Sequence, residues 1–276
     1  MYRSVWKNYH KSVCSVELYS KQGIRFHRAT GFRYRGYIIS DLSGEDLKRA
    51  EKILIQFFSE KVSGPVALFE LKSRDLNKMI AGEIPNEYSG LKFIAMPKGD
   101  TYSVPPLISG SIPHPATGSP VAIICFSRRM DRPCLKTGIV SSRIMEGGNA
   151  YVHIEASFEP GNAGSPVIDG STGNLVGVVS DCLSAQLREY KVLRRIIDEN
   201  IRTLDALNGN SVCEGIDIFQ ALKANHYLIR NLTRDIHLCS HRNFGFALPF
   251  ARIAECFNDI ECCRQIRLQE DNHSPE

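Results

Sequence analysis

The chain has 276 residues, of which 43% are hydrophobic and 23% are charged, with a formal net charge of +4. This composition is ordinary for a globular protein of one large or two small domains. No apolar run reaches about eighteen residues, which excludes a typical membrane-spanning helix. The small positive charge permits an acidic partner such as nucleic acid but supports it only weakly.

The cysteines and the N-terminal segment indicate the cellular location. Nine cysteines form an odd number without the regular spacing of a disulfide framework, which favours free thiols. Residues 1–11 lack the apolar core of a secretory signal peptide. We therefore expect an intracellular protein, cytoplasmic or nuclear, that does not bind membranes.

The first part of the chain shows the period-two pattern of short strands. Residues 12–32 are predicted to form a β-hairpin, and further strands are predicted at 37–40 and 66–71. Residues 45–58 mix charged and apolar positions and are compatible with a helix or a strand. Residues 96–115 are rich in Pro, Gly and Ser, which is typical of a linker.

Strand signals continue beyond this linker and are then interrupted. Residues 120–126, 137–141 and 151–155 are predicted strands, and residues 167–180 are predicted to form a hairpin with a Gly-containing loop. From residue 183 to residue 238, apolar residues recur at three- and four-residue steps, as on one face of a helix. The whole pattern predicts an all-β barrel or sandwich that is interrupted by a helical hairpin.

One segment carries most of the functional information. Glu159-Pro160-Gly161-Asn162-Ala163-Gly164-Ser165-Pro166-Val167 resembles the nucleophile loop of trypsin-like serine proteases, which usually reads Gly-Asn/Asp-Ser-Gly-Gly/Ser-Pro. Ala163 stands where that family has its nucleophilic serine. A methyl group has no lone pair and no proton to lose, so it cannot form an acyl-enzyme.

Further segments resemble the same family in the family's own order, and they are most similar to its HtrA/Deg type. They are Thr30-Gly31-Phe32 followed by Gly36-Tyr37-Ile38-Ile39-Ser40, residues 66–71, residues 117–123 followed by Gly138-Ile139-Val140-Ser141, and Gly245-Phe246-Ala247-Leu248-Pro249. The resemblance implies two antiparallel β-barrels with the active site in the cleft between them. In this reading the helical hairpin is inserted before the last strand, and a C-terminal helix follows.

The resemblance also sets the expected domain boundaries. The predicted segments are residues 1–97 for the N-terminal barrel, 98–115 for a linker, 116–182 with 242–264 for the C-terminal barrel and its helix, 183–241 for the helical insertion, and 265–276 for a flexible tail.

The residues that stand at the family's three catalytic positions cannot perform its chemistry. The histidine position is Ser43, the aspartate position is Pro65, and the serine position is Ala163. A chain without base, orienting acid and nucleophile keeps only the weak acceleration, on the order of a thousandfold, that binding and oxyanion stabilisation give. The resemblance therefore implies a protein without protease activity.

Other residues were considered as substitutes. Ser165 lies two residues after Ala163, at a position that the family often fills with Gly or Ser, which favours a structural role. Cys134 and Cys182 have no histidine at a known spacing and are interpreted as free thiols. The ligand types in residues 237–241 lack the spacing of a zinc site. We expect no metal and no cofactor.

Three surfaces remain for binding. The loop Gly161-Asn162-Ala163 is expected to keep the backbone turn of an oxyanion site. The strand Val178-Val179-Ser180 corresponds to the segment that pairs with substrate in active relatives, so a peptide could add to it. The insertion is expected to bind a protein partner or a second copy of the chain through one apolar face. Its residues are Leu187, Leu193, Ile197, Ile201 and Leu204.

Three hypotheses about function follow. The first is a catalytically inactive trypsin-like protein that acts as a protein- or peptide-binding scaffold or assembly subunit. The second is an active serine protease in which only the nucleophile is replaced, at Ala163. The third is a nucleic-acid-associated adaptor.

Overall fold

The computed structural model describes most of the chain in two compact units. Unit 1 comprises Met1–Cys182 and Arg242–Glu276, and unit 2 comprises Leu183–His241. The described residues are 1–61, 63–85, 90–97, 104–107, 115–127, 130–146, 149–180, 185–206, 212–213, 216–239 and 242–271.

The N-terminal part of unit 1 is a seven-stranded antiparallel sheet. Its elements in chain order are α1 (Tyr2–Tyr9), a 3₁₀ turn (His10–Ser12), β1 (Val13–Tyr19), β2 (Arg25–Tyr34), β3 (Tyr37–Asp41), α2 (Gly44–Arg49), β4 (Lys52–Phe58), β5 (Pro65–Lys72), α3 (Ser73–Met79), β6 (Ile80–Pro85) and β7 (Gly90–Ala95). The strand order is β5-β4-β1-β2-β3-β7-β6.

This sheet folds around one hydrophobic core. Phe69 of β5 and Ile94 of β7 belong to the same cluster of buried side chains, although their strands lie near opposite ends of the strand order. Alternating side chains of the central strands, such as Val16 and Leu18, fill the middle of that cluster. A flat sheet could not bring its two ends to a common core, so the sheet is curved like a barrel wall.

The rest of unit 1 is a closed barrel with a C-terminal helix. Its strands are β8 (Pro120–Cys125), β9 (Cys134–Glu146), β10 (Asn149–Phe158), β11 (Pro166–Asp169), β12 (Leu175–Ser180) and β15 (Arg242–Pro249), closed in the order β10-β15-β12-β11-β8-β9. Helix α6 (Phe250–Asp271) then packs on the N-terminal sheet, where Phe257 makes edge-to-face contacts with Tyr34 and Tyr37.

Unit 2 is a helical hairpin. It consists of α4 (Ala185–Ala206), a short two-stranded ribbon of β13 (Val212–Cys213) and β14 (Ile216–Asp217), and α5 (Ile218–Cys239). The chain enters it after β12 and leaves it into β15, so the hairpin precedes the last strand of the barrel.

The predicted fold class is confirmed, and several element assignments need adjustment. Residues 45–58, compatible with a helix or a strand, contain both: α2 covers Gly44–Arg49 and β4 covers Lys52–Phe58. Helices α1 and α3 were not predicted. Helix α6 continues to Asp271, into the segment from residue 265 that was expected to be a flexible tail. Most of the predicted linker, residues 98–115, lies outside the described residues.

Candidate functional site

The loop between β10 and β11 keeps a turn that depends on glycine. Gly161 and Gly164 have φ angles of 105° and 83°, in the left-handed region that other residues avoid. A Cβ on Gly164 would overlap the carbonyl oxygen of Thr30 and lie 2.7 Å from the backbone nitrogen of Asp41. Glycine at position 164 therefore lets the loop approach strands β2 and β3 of the N-terminal sheet.

Asn162 holds the inside of the loop. Its side chain is 1% exposed, accepts a hydrogen bond from the Glu159 N–H (2.9 Å) and donates one to the carbonyl of Phe126 (2.9 Å). The Lys136 ammonium donates to the Asn162 Oδ1 atom (3.0 Å) and to the Glu159 carboxylate (2.7 Å). The Ser165 hydroxyl donates to the Asn162 carbonyl oxygen (2.6 Å). Ser165 is thus a buried part of the turn, as predicted for a structural serine.

Thr30 connects this loop to the N-terminal sheet. Its N–H donates to the Ala163 carbonyl (2.9 Å), and its hydroxyl donates to the Gly161 carbonyl (2.6 Å). The same hydroxyl accepts from the Phe126 N–H (2.9 Å). Ala163 therefore lies where the two sheets of unit 1 meet, which is the place that the family resemblance predicts for a nucleophile.

A buried arginine joins the two sheets at a second point. Arg28 of β2 forms a salt bridge with Glu17 of β1, and both side chains are 3% exposed. The Arg28 guanidinium also donates to the carbonyls of Ser127 and Met130, beyond β8, and pairs with Asp131 (2.8 Å). The hydrogen bond that Arg28 donates to Asp131 lowers the pKa of this carboxyl group. No local sequence pattern marks this cluster, because Arg28 and its partners beyond β8 are about a hundred residues apart.

The residues that the resemblance places at the other two catalytic positions have structural roles. Ser43 is the N-cap of α2, and its hydroxyl oxygen accepts from the N–H groups of Glu45 (3.2 Å) and Asp46 (3.5 Å). Pro65 is the first residue of β5, lies opposite Phe58 and is exposed. Neither side chain offers a base or an orienting carboxylate.

The three described histidines of unit 1 have contacts on other elements. His10 contacts the carbonyl of Trp6, His153 contacts the Ser142 hydroxyl on the neighbouring strand, and His27 lies 3.4 Å from the carboxylate of Asp46. His27 shares strand β2 with Thr30, but the two are three residues apart and so project from opposite faces. Thr30 faces the loop of Ala163, so His27 faces away from it.

A carboxylate that the sequence analysis overlooked lies at the junction. Asp41, the last residue of β3, is 2% exposed, and its Oδ2 atom accepts a hydrogen bond from the Ser180 hydroxyl (3.1 Å). The backbone nitrogen of Asp41 is close to Gly164, so this acid lies beside the loop. Asp41 and Ser180 are 139 positions apart in the chain, and no local pattern connects them.

The predicted peptide-binding edge needs a correction. Strand β12 pairs with β11 on one side and with β15 on the other, because the second barrel is closed. Val178 lies opposite Pro166 and Leu248, and Val179 exchanges backbone hydrogen bonds with Gly164 and Ser165 of the loop. Val178 and Val179 are buried. The prediction that Val178-Val179-Ser180 can accept a peptide as an added strand was therefore wrong, since its own chain occupies those positions.

The predicted contact face of the insertion is only partly accessible. Ile197 and Ile201 are 4% and 6% exposed, and Leu204 is half-buried. Leu193 is 42% exposed, and the side chain of Leu187 lies outside the described residues. The two isoleucines are therefore buried. Of the four residues whose side chains are described, Leu193 is the exposed one.

The larger exposed apolar face lies on α5. We call it the α5 stripe; its six residues are Ile218, Leu222, Leu228, Ile229, Leu232 and Ile236, with exposed fractions from 39% to 66%. Five of them, together with Asn225, follow alternating steps of four and three residues, which is the heptad spacing of a coiled coil. The periodicity was visible in the sequence, but it does not tell which face a neighbour covers.

Polar contacts hold a neighbouring face of α5 against α4. Arg230 pairs with Asp198 (3.0 Å), and Lys223 pairs with Asp205. The His226 ring lies 3.2 Å from the Asn200 amide. The hairpin thus has ion pairs and hydrogen bonds between its helices and leaves aliphatic side chains outside.

Two further findings concern the described residues alone. No helix there is long and apolar enough to cross a membrane. In the same part of the chain, no group of three His, Cys, Asp or Glu side chains could hold a metal ion.

Comparison with known proteins agrees with this geometry. The family described as "Trypsin-like peptidase domain" matches residues 56–178. Among solved structures the chain is similar to "Crystal structure of the serine endoprotease from Yersinia pestis", with a TM-score of 0.53 and 15% identity over 94% of this chain and 66% of that one. No curated protein matches the chain.

These likenesses show the fold. The chain has the trypsin-like double-barrel fold, with a helical insertion before its last strand. It spans slightly less than two thirds of the length of the Yersinia pestis endoprotease. The matched family segment includes Pro65 and Ala163 and ends before the helical hairpin begins.

Proposed function

We propose that this chain is a catalytically inactive member of the trypsin-like proteases that acts inside the cell as a binding and assembly subunit. The observation that carries the proposal is the use of Ser43: at the position of the catalytic base, its hydroxyl caps α2. Ala163 supplies no attacking oxygen, and Pro65 supplies no carboxylate. Free thiols at Cys14, Cys125, Cys134, Cys256, Cys262 and Cys263 favour a reducing compartment.

Restoring the nucleophile alone tests this proposal. We expect Ala163→Ser to hydrolyse fluorogenic peptides no faster than the parent chain and to resist a fluorophosphonate that labels activated serines. A lone serine has no base to remove its proton, so it stays a weak nucleophile. Peptide mapping of the labelled chain reads out position 163, and circular dichroism checks that the variant is folded.

The competing function makes the opposite prediction. If the chain is a protease that lacks only its serine, Ala163→Ser will be labelled at position 163 and will cleave peptides. That result would overturn the proposal. A variant that combines Ala163→Ser with Ser43→His and Pro65→Asp serves as the control, because it restores all three family residue types at the positions that the resemblance assigns to them.

We further propose that the binding surface is the α5 stripe and that its occupant is α5 of a second copy of this chain. The heptad spacing fits a helical partner, and Asn225 favours an identical one. In a parallel, in-register pair, Asn225 would meet Asn225 of the other copy and the two amides would hydrogen-bond to each other. Against a purely apolar helix, the same amide would be buried without a partner, at a cost of about 1 to 3 kcal/mol.

Self-association is measured by light scattering coupled to size-exclusion chromatography on the full chain. We expect a dimer, and we expect Ile229→Asp and Leu232→Asp to shift it to monomer at the same concentration. The matched control is Asn231→Asp, which adds the same charge at an exposed position between them on the same helix. A monomeric parent chain would overturn this part of the proposal and leave the catalytic part intact.

A further inference from the structure

We propose that Cys125 and Cys134 are a thiol–disulfide exchange site, which takes small-molecule disulfides and closes reversibly into an internal disulfide next to the loop of residues 159–165, which we call the Asn162 loop. The proposal is independent of whether the cleft hydrolyses peptides. The two residues lie directly opposite each other in the pairing of β8 with β9. Their sulfur atoms are 3.6 Å apart, and a bond requires about 2.05 Å.

The position of the pair permits that approach. Cys125 is the last residue of β8 and Cys134 is the first residue of β9, so the ladder continues on one side only. Directly opposite residues of antiparallel strands have Cβ atoms about 4.5 to 5.5 Å apart, close to the 3.5 to 4.5 Å range of disulfides. A shift of about 1 Å at the strand ends is enough to close the bond.

The two thiols are chemically unequal. Cys134 is half-buried, and the hydrogen bond from the Cys125 thiol, helped by the Lys136 ammonium, lowers the pKa of Cys134 to about 7. Cys125 is buried, and its hydrogen bond with Cys134 and its burial raise its pKa. Cys134 is therefore the attacking thiolate, and Cys125 is the thiol that resolves the intermediate.

The exchange balances in two steps. The Cys134 thiolate attacks one sulfur of a small-molecule disulfide, the S–S bond breaks, and one thiolate leaves, so that a mixed disulfide forms on Cys134. Cys125 then loses its proton to the released thiolate and attacks the Cys134 sulfur, expelling the second thiolate. The protein pair is oxidised by two electrons, and the small-molecule disulfide is reduced to two thiols.

The loop would sense this change through neighbouring contacts. Lys136, two residues after Cys134, binds both Glu159 and Asn162 of the loop. Phe126, directly after Cys125, accepts a hydrogen bond from Asn162 and donates one to Thr30. Oxidation removes the negative charge beside Lys136 and fixes the strand end that carries Phe126, so the redox state of the pair reaches the loop through two short paths.

The experiment incubates the full chain in buffers of oxidised and reduced glutathione, quenches with acid, alkylates and maps tryptic peptides. Arg128 and Arg129 lie between the two cysteines, so the bond appears as two linked peptides. We expect the linked form to increase with the oxidised fraction and to revert in reduced buffer. We expect Cys125→Ser to accumulate glutathione on Cys134, and Cys134→Ser to show neither product at this site.

Controls keep the test decisive. Cys262→Ser and Cys263→Ser remove two exposed thiols and are expected to leave the linkage unchanged. Because Cys125→Ser removes the hydrogen bond that lowers the pKa of Cys134, the pH dependence is measured on the parent chain, where the rate of Cys134 modification should rise about tenfold from pH 6 to pH 8. Absence of the Cys125–Cys134 link in the folded parent chain under fully oxidised glutathione would overturn the proposal, with no variant needed.

Discussion

The Asn162 loop and the α5 stripe differ in how their side chains are contacted, since the loop is hydrogen-bonded within the chain and the stripe is exposed. In the loop, the buried amide of Asn162 reaches Glu159, Phe126 and Lys136, and the neighbouring carbonyls accept from Thr30. On α5, Lys223 and Arg230 pair with aspartates of α4, while six large apolar side chains are exposed. The polar groups of the loop have hydrogen-bond partners within the chain, whereas the stripe exposes apolar side chains of the kind found at interaction sites. The comparison teaches that a loop resembling a protease motif can serve internal contacts, while apolar side chains stay exposed on an inserted helix.

The largest expected effect comes from the loop. Gly164→Ala should lower the free energy of unfolding by about 3 to 5 kcal/mol, because the methyl group combines a left-handed φ with an overlap on Thr30. Gly118→Ala is the matched control: its φ is 87° and no atom lies within 4 Å of its Cβ, so we expect about 1 kcal/mol. Urea denaturation measures both, and equal losses would show that the loop does not depend on close approach to the sheet.

The second effect separates covered from exposed positions on α4. Ile197→Asp should cost about 3 kcal/mol, because it places a carboxylate where the side chain is 4% exposed. Leu193→Asp, one turn earlier at 42% exposure, should change stability by about 0.5 kcal/mol or less. Thermal unfolding followed by loss of helicity measures the difference. If Ile197→Asp instead unfolds no more easily than Leu193→Asp, the packing of this face is not what the structure shows.

The sequence allowed the strands and the loop to be predicted because their signals are local. Alternating apolar residues indicated the hairpins at 12–32 and 167–180, and the glycines around Ala163 indicated a tight turn. Ser43, which the resemblance places at the family's histidine position, follows β3 and caps α2. The capping role of its hydroxyl could not be predicted, since the sequence of residues 45–58 is compatible with either a helix or a strand.

What the sequence could not provide is which neighbours cover each surface. The closed barrel buries Val178 and Val179 because β15 arrives from beyond the insertion to pair with β12, a contact between distant parts of the chain. Helices α4 and α5 both have apolar residues at helical spacing, so the sequence pattern does not distinguish their faces. The prediction therefore placed the contact face on α4. The ion pairs of Asp198 with Arg230 and of Asp205 with Lys223 turn the stripe of α5 outward.

The smallest expected effect concerns Ser43, the N-cap of α2. Ser43→Ala should lower the free energy of unfolding by about 1 kcal/mol, since it removes the oxygen that accepts from the amides of Glu45 and Asp46. Ser43→Asp should stay within a few tenths of a kcal/mol of the parent, roughly, because aspartate caps as well as serine. Amide hydrogen exchange at Glu45 and Asp46 locates the change in α2 and separates it from a global effect. A Ser43→Ala variant as stable as the parent would mean that the hydroxyl is not needed as a cap and that Ser43 has no structural role at this position.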